Sequence, residues 1–365
     1  MRVGVNAAVI SGRMTGVGYH ALSLVRAFAR VGKDVEWVLI GADPSTNSLP
    51  HAENIRIEGA ERLPGGARRA LWQQWTLPRL ATRAGVDLLY CPDYSRPIFS
   101  GVPLVNTIHD LSFYASSPPF LPLASRLWKG SLARVAIRRS TRLVVDSNFI
   151  RDELLQRFDL DPMRVTVIHL AAEDFPGELR QKAACPFLLF VGTLETRKNL
   201  MTLIRAFTAL RASGRIPHRL VLVGQPGYGW GEISAAIADS PSRDHIEVRG
   251  YETRPEVLRL YRSADLFVFP SLYEGFGLPL LEAMAGGAPV ACARAASLPE
   301  VAGDAAEYFD PGSSADMAAA IERIVGSPEV QESLRRKGRE RLKLFSWDEC
   351  ARRHCEVFRE VVESS

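Results

Sequence analysis

Apolar residues fall along this chain in short unbroken runs, such as FLLFV at Phe187–Val191 and LFVF at Leu266–Phe269. A turn containing Gly, Pro or Ser follows each run, and then a segment with apolar positions three and four apart. Runs of this kind read as strands buried on both faces of a parallel sheet, and the segments between them as its covering helices. The first half predicts strands at Arg2–Ala8, Val35–Gly41, Val86–Tyr90, Val102–Ile108, Leu143–Asp146 and Val165–His169. Helical spacing covers Tyr19–Val31, the surface-like run ARRALWQQWTLPRLATRAG with Trp72 and Trp75, and SNFIRDELLQRF, capped by Ser147 or Asn148. The second half predicts strands at Phe187–Val191, Leu220–Gly224, Ile246–Gly250, Leu266–Phe269, Pro289–Cys292 and, more weakly, Glu307–Phe309. Its helices are expected at Leu200–Arg211, Arg254–Ser263, Leu280–Ala285, Ala315–Ile324, Glu329–Leu344 and Ser346–Val362. Between the two series, Ala171–Ala184 loses periodicity and gains charge, as a linker does. The pattern predicts two doubly wound α/β domains.

Composition adds limits. At 365 residues, 47% hydrophobic and 24% charged, the chain suits a soluble globular protein of two ordinary domains. No apolar run approaches the roughly 20 residues of a membrane span. MRVGVNAAVI reads as a first strand and not as a signal peptide. Five cysteines (91, 185, 292, 350 and 355) are an odd number without metal-like spacing, so reduced thiols in a cytoplasm are expected. The net charge of +4 is unevenly placed: residues 1–180 hold 22 Lys and Arg against 17 Asp and Glu. That points the first half toward an anionic surface. Within it, Phe120–Arg142 carries Arg126, Lys129, Arg134, Arg138, Arg139 and Arg142 with no acid, and Leu123, Leu127, Trp128, Leu132, Val135 and Ile137 give it an apolar side. Such a helix suits an anionic membrane face; an ordinary packed helix with solvated arginines is the other reading.

Candidate chemistry gathers at strand ends. The first loop holds Gly16-Val17-Gly18 but not a full G-x-G-x-x-G, and no acid closes the dinucleotide pattern, so a dehydrogenase is disfavoured. Gly16 and Gly18 could face a phosphate or merely form a tight turn. His109 ends a strand, where side chains enter a ligand crevice, although a lone histidine is often structural. In FPSLYEGFGLPLLEAMA, Pro279 is placed to open a helix just after Glu274, Gly275, Phe276, Gly277 and Leu278. A helix N-terminus there is a ready phosphate site, with Glu282 about one turn further in. An ordinary corner with solvated acids remains the plainer alternative.

Glu274 and Glu282, in the setting YEGFGLPLLEAMA, resemble the E-x7-E motif of retaining glycosyltransferases of family 4, which have the GT-B fold. The resemblance extends over nearly the whole chain. It implies two Rossmann-like domains facing across a cleft, with a last helix that returns to the first. The domains expected are 1–172 plus 346–365 on the acceptor side and 185–345 on the nucleotide-sugar side, with 173–184 as linker. GTLETRKNL is similar to the family's second signature, which implies that Lys198, with Arg197 beside it, binds the donor diphosphate. Many relatives carry Arg where this chain has Thr193. The resemblance further implies that the glycines of GVGYH face phosphate, that His109 contacts the sugar, that Glu274 binds sugar hydroxyls and that Glu282 binds the ribose. Tyr251 falls where the base pocket is expected; it could stack on a base or cap the core. The implied reaction is transfer of a hexose to a hydroxyl with retention, in a site closed against water by domain motion. No cofactor and no metal are expected, because no D-x-D element sits in a donor loop. The wording of the two motifs resembles the mannosyltransferase branch, so GDP-mannose leads over UDP-linked and deoxyhexose donors. A lipid-linked or growing surface glycan is the acceptor expected, with the protein cytoplasmic or peripheral on the inner membrane face. A nucleotide-sugar 2-epimerase of the same fold and a non-catalytic nucleotide- or glycan-binding protein are the alternatives.

Overall fold

The computed structural model describes residues 1–10, 16–43, 49–59, 67–115, 120–173 and 183–365. The remainder includes residues 11–15 of the first loop and 174–182 of the expected linker, so those parts of the reading lie outside the described residues. Two compact units result: 1–114, 123–170 and 346–365 in one, and 115–122 with 171–345 in the other. The second therefore takes in a short segment, 115–122, that the reading of 1–172 as continuous assigned to the first. Phe120 of that segment is buried and lies 6.3 Å from the Tyr273 ring.

Unit 1 contains β1 (Arg2–Asn6), α1 (Gly16–Val31), β2 (Glu36–Ile40), β3 (Ile55–Glu58), α2 (Ala67–Arg83), β4 (Leu88–Cys91), β5 (Leu104–Ile108), α3 (Leu123–Arg139), β6 (Arg142–Val145), α4 (Asn148–Arg157) and β7 (Val165–Val167). Its seven parallel strands lie in the order β3-β2-β1-β4-β5-β6-β7. Unit 2 contains β8 (Phe187–Val191), α5 (Leu200–Ala212), β9 (Arg219–Val223), α6 (Trp230–Ala238), β10 (Ile246–Arg249), α7 (Arg254–Ser263), β11 (Leu266–Phe269), α8 (Leu278–Ala285), β12 (Val290–Ala293), α9 (Leu298–Ala302), β13 (Glu307–Phe309), α10 (Ser314–Val325) and α11 (Pro328–Leu342). Six parallel strands follow the order β10-β9-β8-β11-β12-β13. The order reverses between β1 and β4 in one sheet and between β8 and β11 in the other. Crevices outside the carboxyl ends of strands at such points are where α/β sheets bind ligands.

The last helix, α12 (Trp347–Glu363), belongs to unit 1. Ser346 caps it by accepting from Glu349 N. Its buried stripe places Phe358 against Phe28, Trp37 and Tyr90, with ring centroids 5.3–6.2 Å apart. Fully burying one such aromatic side chain contributes roughly 1.5–3 kcal/mol. Arg30–Asp348 and Arg359–Asp34 pairs edge the contact. In unit 2 the rings of Phe190, Phe267 and Phe269 stack in the sheet core.

Three elements lie outside what the sequence predicts: β3, α6 and the short α9, a five-residue turn of helix too brief to show periodicity. β3 is a four-residue edge strand, IRIE, too short and too exposed to show an apolar run. α6 begins inside the glycine-rich YGWGE turn, where Gly229 in a left-handed conformation caps it. α2 is half surface: Trp75 is 62% exposed, whereas Trp72 is buried on the β2–β4 side of the core. On α3 the packed side is made of Gly130, Ala133, Ala136 and Ile137, leaving Leu123, Leu127 and Trp128 in solvent.

Candidate active site

In unit 2 the loops after β8 and β11 meet at the strand-order reversal. β8 ends at Val191, and after Gly192 the chain forms a single 3-10 turn, Thr196–Lys198. Leu272 N donates to Arg197 O at 2.9 Å, tying this turn to the loop after β11. The geometry turns Lys198 inward, where its side chain is 8% exposed. Its Nζ lies 5.1 Å from the centroid of the Phe269 ring and donates to Glu274 Oε1. Arg197 Nη1 reaches Glu274 Oε2 at 3.2 Å and Tyr273 O at 2.7 Å, while its Nε bonds Glu195 Oε1 at 3.0 Å. Glu195, Arg197, Lys198 and Glu274 thus form one charge-balanced cluster joining residues 76 to 79 positions apart.

Burial alone would raise the Glu274 carboxyl, but Lys198 and Arg197 outweigh it and hold it below the usual glutamate value. Burial lowers the Lys198 ammonium, and Arg197 adds to that effect, with Glu274 offsetting only part. A second anion arriving here would share the two cations with Glu274. The loop is held from behind by Ser297, whose hydroxyl donates to Glu274 O and Phe276 O, both at 2.9 Å.

α8 starts at Leu278, two residues before the sequence reading placed it, and Pro279 is its second residue. The earlier start follows from Gly277, whose φ of 101° ends the loop and caps the helix without a side chain. Any Cβ there would meet Leu298 Cδ2 at 2.9 Å. Glu282 lies one turn into α8. Arg254 Nη2 donates to its Oε1 at 2.6 Å and Tyr261 OH to its Oε2 at 3.0 Å. Arg254 also donates from Nε to Glu173 Oε2 at 2.9 Å. Burial disfavours the Arg254 cation, but Glu282 and Glu173 outweigh it and raise its pKa further. Thr193 is exposed at the end of β8. Tyr251 follows the edge strand β10, separated from β8 by β9, and is 45% exposed.

His109 directly follows β5 in unit 1. Its Nδ1 donates to Asp146 Oδ2 at 2.6 Å and its Nε2 to Pro92 O at 2.8 Å. A carbonyl and a carboxylate both accept, so both ring nitrogens carry protons. Burial opposes that charge, yet Asp146 and the Pro92 carbonyl bring the pKa up to about 9. A sugar hydroxyl meeting the ring would have to displace one of these partners. The His20 ring, T-shaped to His109 at 4.6 Å, is fully buried, and burial followed by the His109 charge holds it neutral. Gly18 is buried in the first turn of α1, whereas Gly16 is exposed at its start.

Sequence reasoning brought out Lys198, Arg197, Glu274 and Glu282 but missed their partners Glu195, Arg254, Tyr261 and Ser297, as well as Asp146 behind His109. One signal was available for Arg254: a cation in the first turn of a helix opposes the helix dipole, so a compensating acid was to be expected.

Two parallel, doubly wound units, with a buried charge cluster at the strand-order reversal of the second, define a glycosyltransferase of GT-B type. Solved structures share that fold. Sucrose-phosphate synthase from Thermosynechococcus elongatus superposes with a TM-score of 0.78 at 19% identity, covering 100% of both chains. Anabaena HepE in complex with UDP-glucose gives 0.74 at 17%, covering 98% of this chain and 99% of the other. Residues 14–172 match Glycosyltransferase Family 4, and residues 173–341 match Glycosyl transferases group 1. The chain belongs to glycosyltransferase family 4. It is similar to O-antigen chain mannosyltransferase B of Escherichia coli, at 29% identity over 359 residues, 92% of this chain and 94% of that one.

Proposed function

We propose that this glycosyltransferase moves mannose from GDP-mannose to a hydroxyl of a lipid-linked or growing surface glycan, with retention at the anomeric carbon and without a metal ion. The observation that carries the reading is the Lys198–Glu274–Arg197 cluster beside the start of α8. A departing diphosphate needs fixed positive charge, and preorganised cations and amides supply it without reorganisation. Lys198 and Arg197 take the diphosphate together with the backbone from Gly275 to Leu278. Glu274, held ionised by the same cations, accepts from sugar hydroxyls and sets the ring. Glu282 takes the ribose. His109 contacts the sugar, and Gly16 and Gly18 serve the phosphate side. Thr193, exposed just after β8, lies on the diphosphate side, and Tyr251 is the candidate base contact. The similarity to an O-antigen mannosyltransferase over nearly the whole chain supports mannose as the sugar. In this reading the leaving phosphate takes the acceptor's proton during front-face attack, as the family resemblance implies.

Thermal shift against GDP, UDP, dTDP and their sugars tests the donor, because a ligand that binds only the folded state raises the midpoint. Stabilisation by GDP-mannose above the others is expected. Equal stabilisation by UDP-glucose would overturn the choice of donor.

Peripheral attachment to an anionic membrane is the second part of the proposal. α2 and α3 contain nine Arg and Lys and no Asp or Glu, and Leu71, Trp75, Leu123, Leu127 and Trp128 are exposed on them. No helix among the described residues is long and apolar enough to cross a membrane. Basic helices with exposed aromatic and aliphatic side chains bind acidic lipid surfaces. The protein should co-sediment at low salt with acidic liposomes and not with neutral ones; equal recovery with both removes the idea.

A further inference from the structure

Ser297 stands where a helix-capping serine would, yet it caps nothing. Ser147, Ser313, Ser327 and Ser346 precede α4, α10, α11 and α12 with extended backbone, and each accepts from an N–H of its own helix. Ser297 precedes α9 with φ −77° and ψ −8°, and its side chain makes no capping bond. Its fully buried hydroxyl donates instead to Glu274 O and Phe276 O, both at 2.9 Å. β12 pairs with β11, so the loops after these two strands are neighbours. Ala296, just before the serine, lies in the left-handed region at φ 51°, a strained place for a residue with a Cβ. Such strain persists only where the surroundings demand it, and here it sits in the residue that delivers the serine to the loop.

In a planar trans peptide the N–H points opposite to the C=O of the residue before it. The carbonyls of Glu274 and Phe276 are both drawn onto one hydroxyl, so the N–H groups of Gly275 and Gly277 turn together to the far side of the loop. One proton shared by two carbonyls fixes the pair as a unit. We infer that Ser297 is a positioning residue that aims the Gly275 and Gly277 amides at the departing diphosphate. The inference rests on the role proposed for the backbone from Gly275 to Leu278 and names what orients it. As transfer proceeds, the bond from the anomeric carbon to the β-phosphate oxygen breaks and leaves its electron pair on that oxygen. The acceptor oxygen bonds the carbon, and its proton passes to the phosphate. Donors already aimed at the developing charge act more in the transition state than in the bound donor. Loss of the hydroxyl therefore slows transfer more than it weakens donor binding.

Ser297→Ala tests this in the full chain. Removing an aimed donor costs about 10²–10³-fold in kcat, so letting two drift should cost about 10–100-fold, with the donor KM changed about threefold or less. Free GDP carries at equilibrium the charge that the donor develops only on leaving. Calorimetric titration of GDP against GMP, and of UDP against UMP, therefore reads the same contact without turnover. The wild-type preference for the diphosphate should shrink about tenfold in Ser297→Ala. Ser297→Thr, which keeps the hydroxyl, should retain most of it. Ser297→Cys, close in size but with a weak S–H donor, should lose part of it even if Ser297→Ala fails to fold. Ile321→Val, at a fully buried position of α10, should lower Tm and leave both kcat and the preference alone. Wild-type kcat with undiminished preference in Ser297→Ala or Ser297→Cys overturns the inference, whatever the Tm, because the serine would then only brace the loop. A raised donor KM with kcat intact overturns it as well. A wild type that binds mono- and diphosphates equally overturns it too, with nucleotide binding intact. Binding of none of the four probes removes the proposed function itself.

Discussion

Lys198→Ala separates the two roles assigned to the cluster. Glu274, 8% exposed, is left with one remaining side-chain cation of the cluster, Arg197 at 3.2 Å. Arg197 is already shared with Glu195 and the Tyr273 carbonyl. Breaking a buried pair by removing one partner costs roughly 3–5 kcal/mol. The surviving Arg197 contact sets the expectation at the lower end, about 3 kcal/mol. In a domain of 150–250 residues, that corresponds to a fall in Tm of about 6–12 °C. Losing a fixed charge at the departing diphosphate should lower kcat by about 10²–10³-fold. Deleting the orphaned acid as well, in Lys198→Ala/Glu274→Ala, should recover about 1–2 kcal/mol of stability and none of the activity. Scanning calorimetry reads the first effect, and a coupled assay for released nucleoside diphosphate reads the second. The reasoning fails if the double variant is less stable than the single one, since the carboxylate would then not depend on Lys198. It fails equally if transfer continues undiminished in Lys198→Ala.

His109 gives a pH signature. Its pKa is raised from 6.5 to about 9, so its stabilising contribution is complete below pH 6.5 and is lost as pH climbs to 9. At 1.36 kcal/mol per unit that is about 3 kcal/mol, and Asp146→Asn should flatten the slope in chemical denaturation series across this window. A wild-type slope no steeper than that of the variant would refute the assignment of charge. Gly277→Ala forces a side chain to φ 101° and against Leu298, so it should destabilise by about 1–3 kcal/mol without altering any charge; an unchanged Tm counts against the cap. Transfer should proceed at the same rate in excess chelator, and loss of activity restored by a divalent ion would contradict a metal-free site. Replacing Trp75 and Trp128 by Ser should reduce recovery with acidic liposomes while leaving nucleotide binding intact; unchanged recovery counts against docking through α2 and α3.

Much of the fold was legible because parallel strands buried on both faces must be apolar throughout. β8, β11 and β13 have the bounds that Phe187–Val191, Leu266–Phe269 and Glu307–Phe309 predicted, and α7 has those of Arg254–Ser263. Of the serine caps, Ser147 at the start of α4 was legible, because its hydrogen bond needs only neighbours in sequence; Ser313, Ser327 and Ser346 cap α10, α11 and α12 in the same way. The E-x7-E spacing on a loop and a helix is local as well, so both carboxylates could be named in advance.

Their partners could not. Lys198 and Glu274 lie 76 residues apart, Arg254 and Glu282 28, and His109 and Asp146 37. Each pair meets only because strand order brings particular loops together, and nothing in the local pattern states that order. Burial then decides what each charge does: the same Glu, Lys and His in water would be solvated and independent, whereas here each has a partner, a fixed direction and, for Glu274, Lys198 and His109, a displaced pKa. The residue types were set by the chain, and their pairing and protonation by the sheets that assemble them.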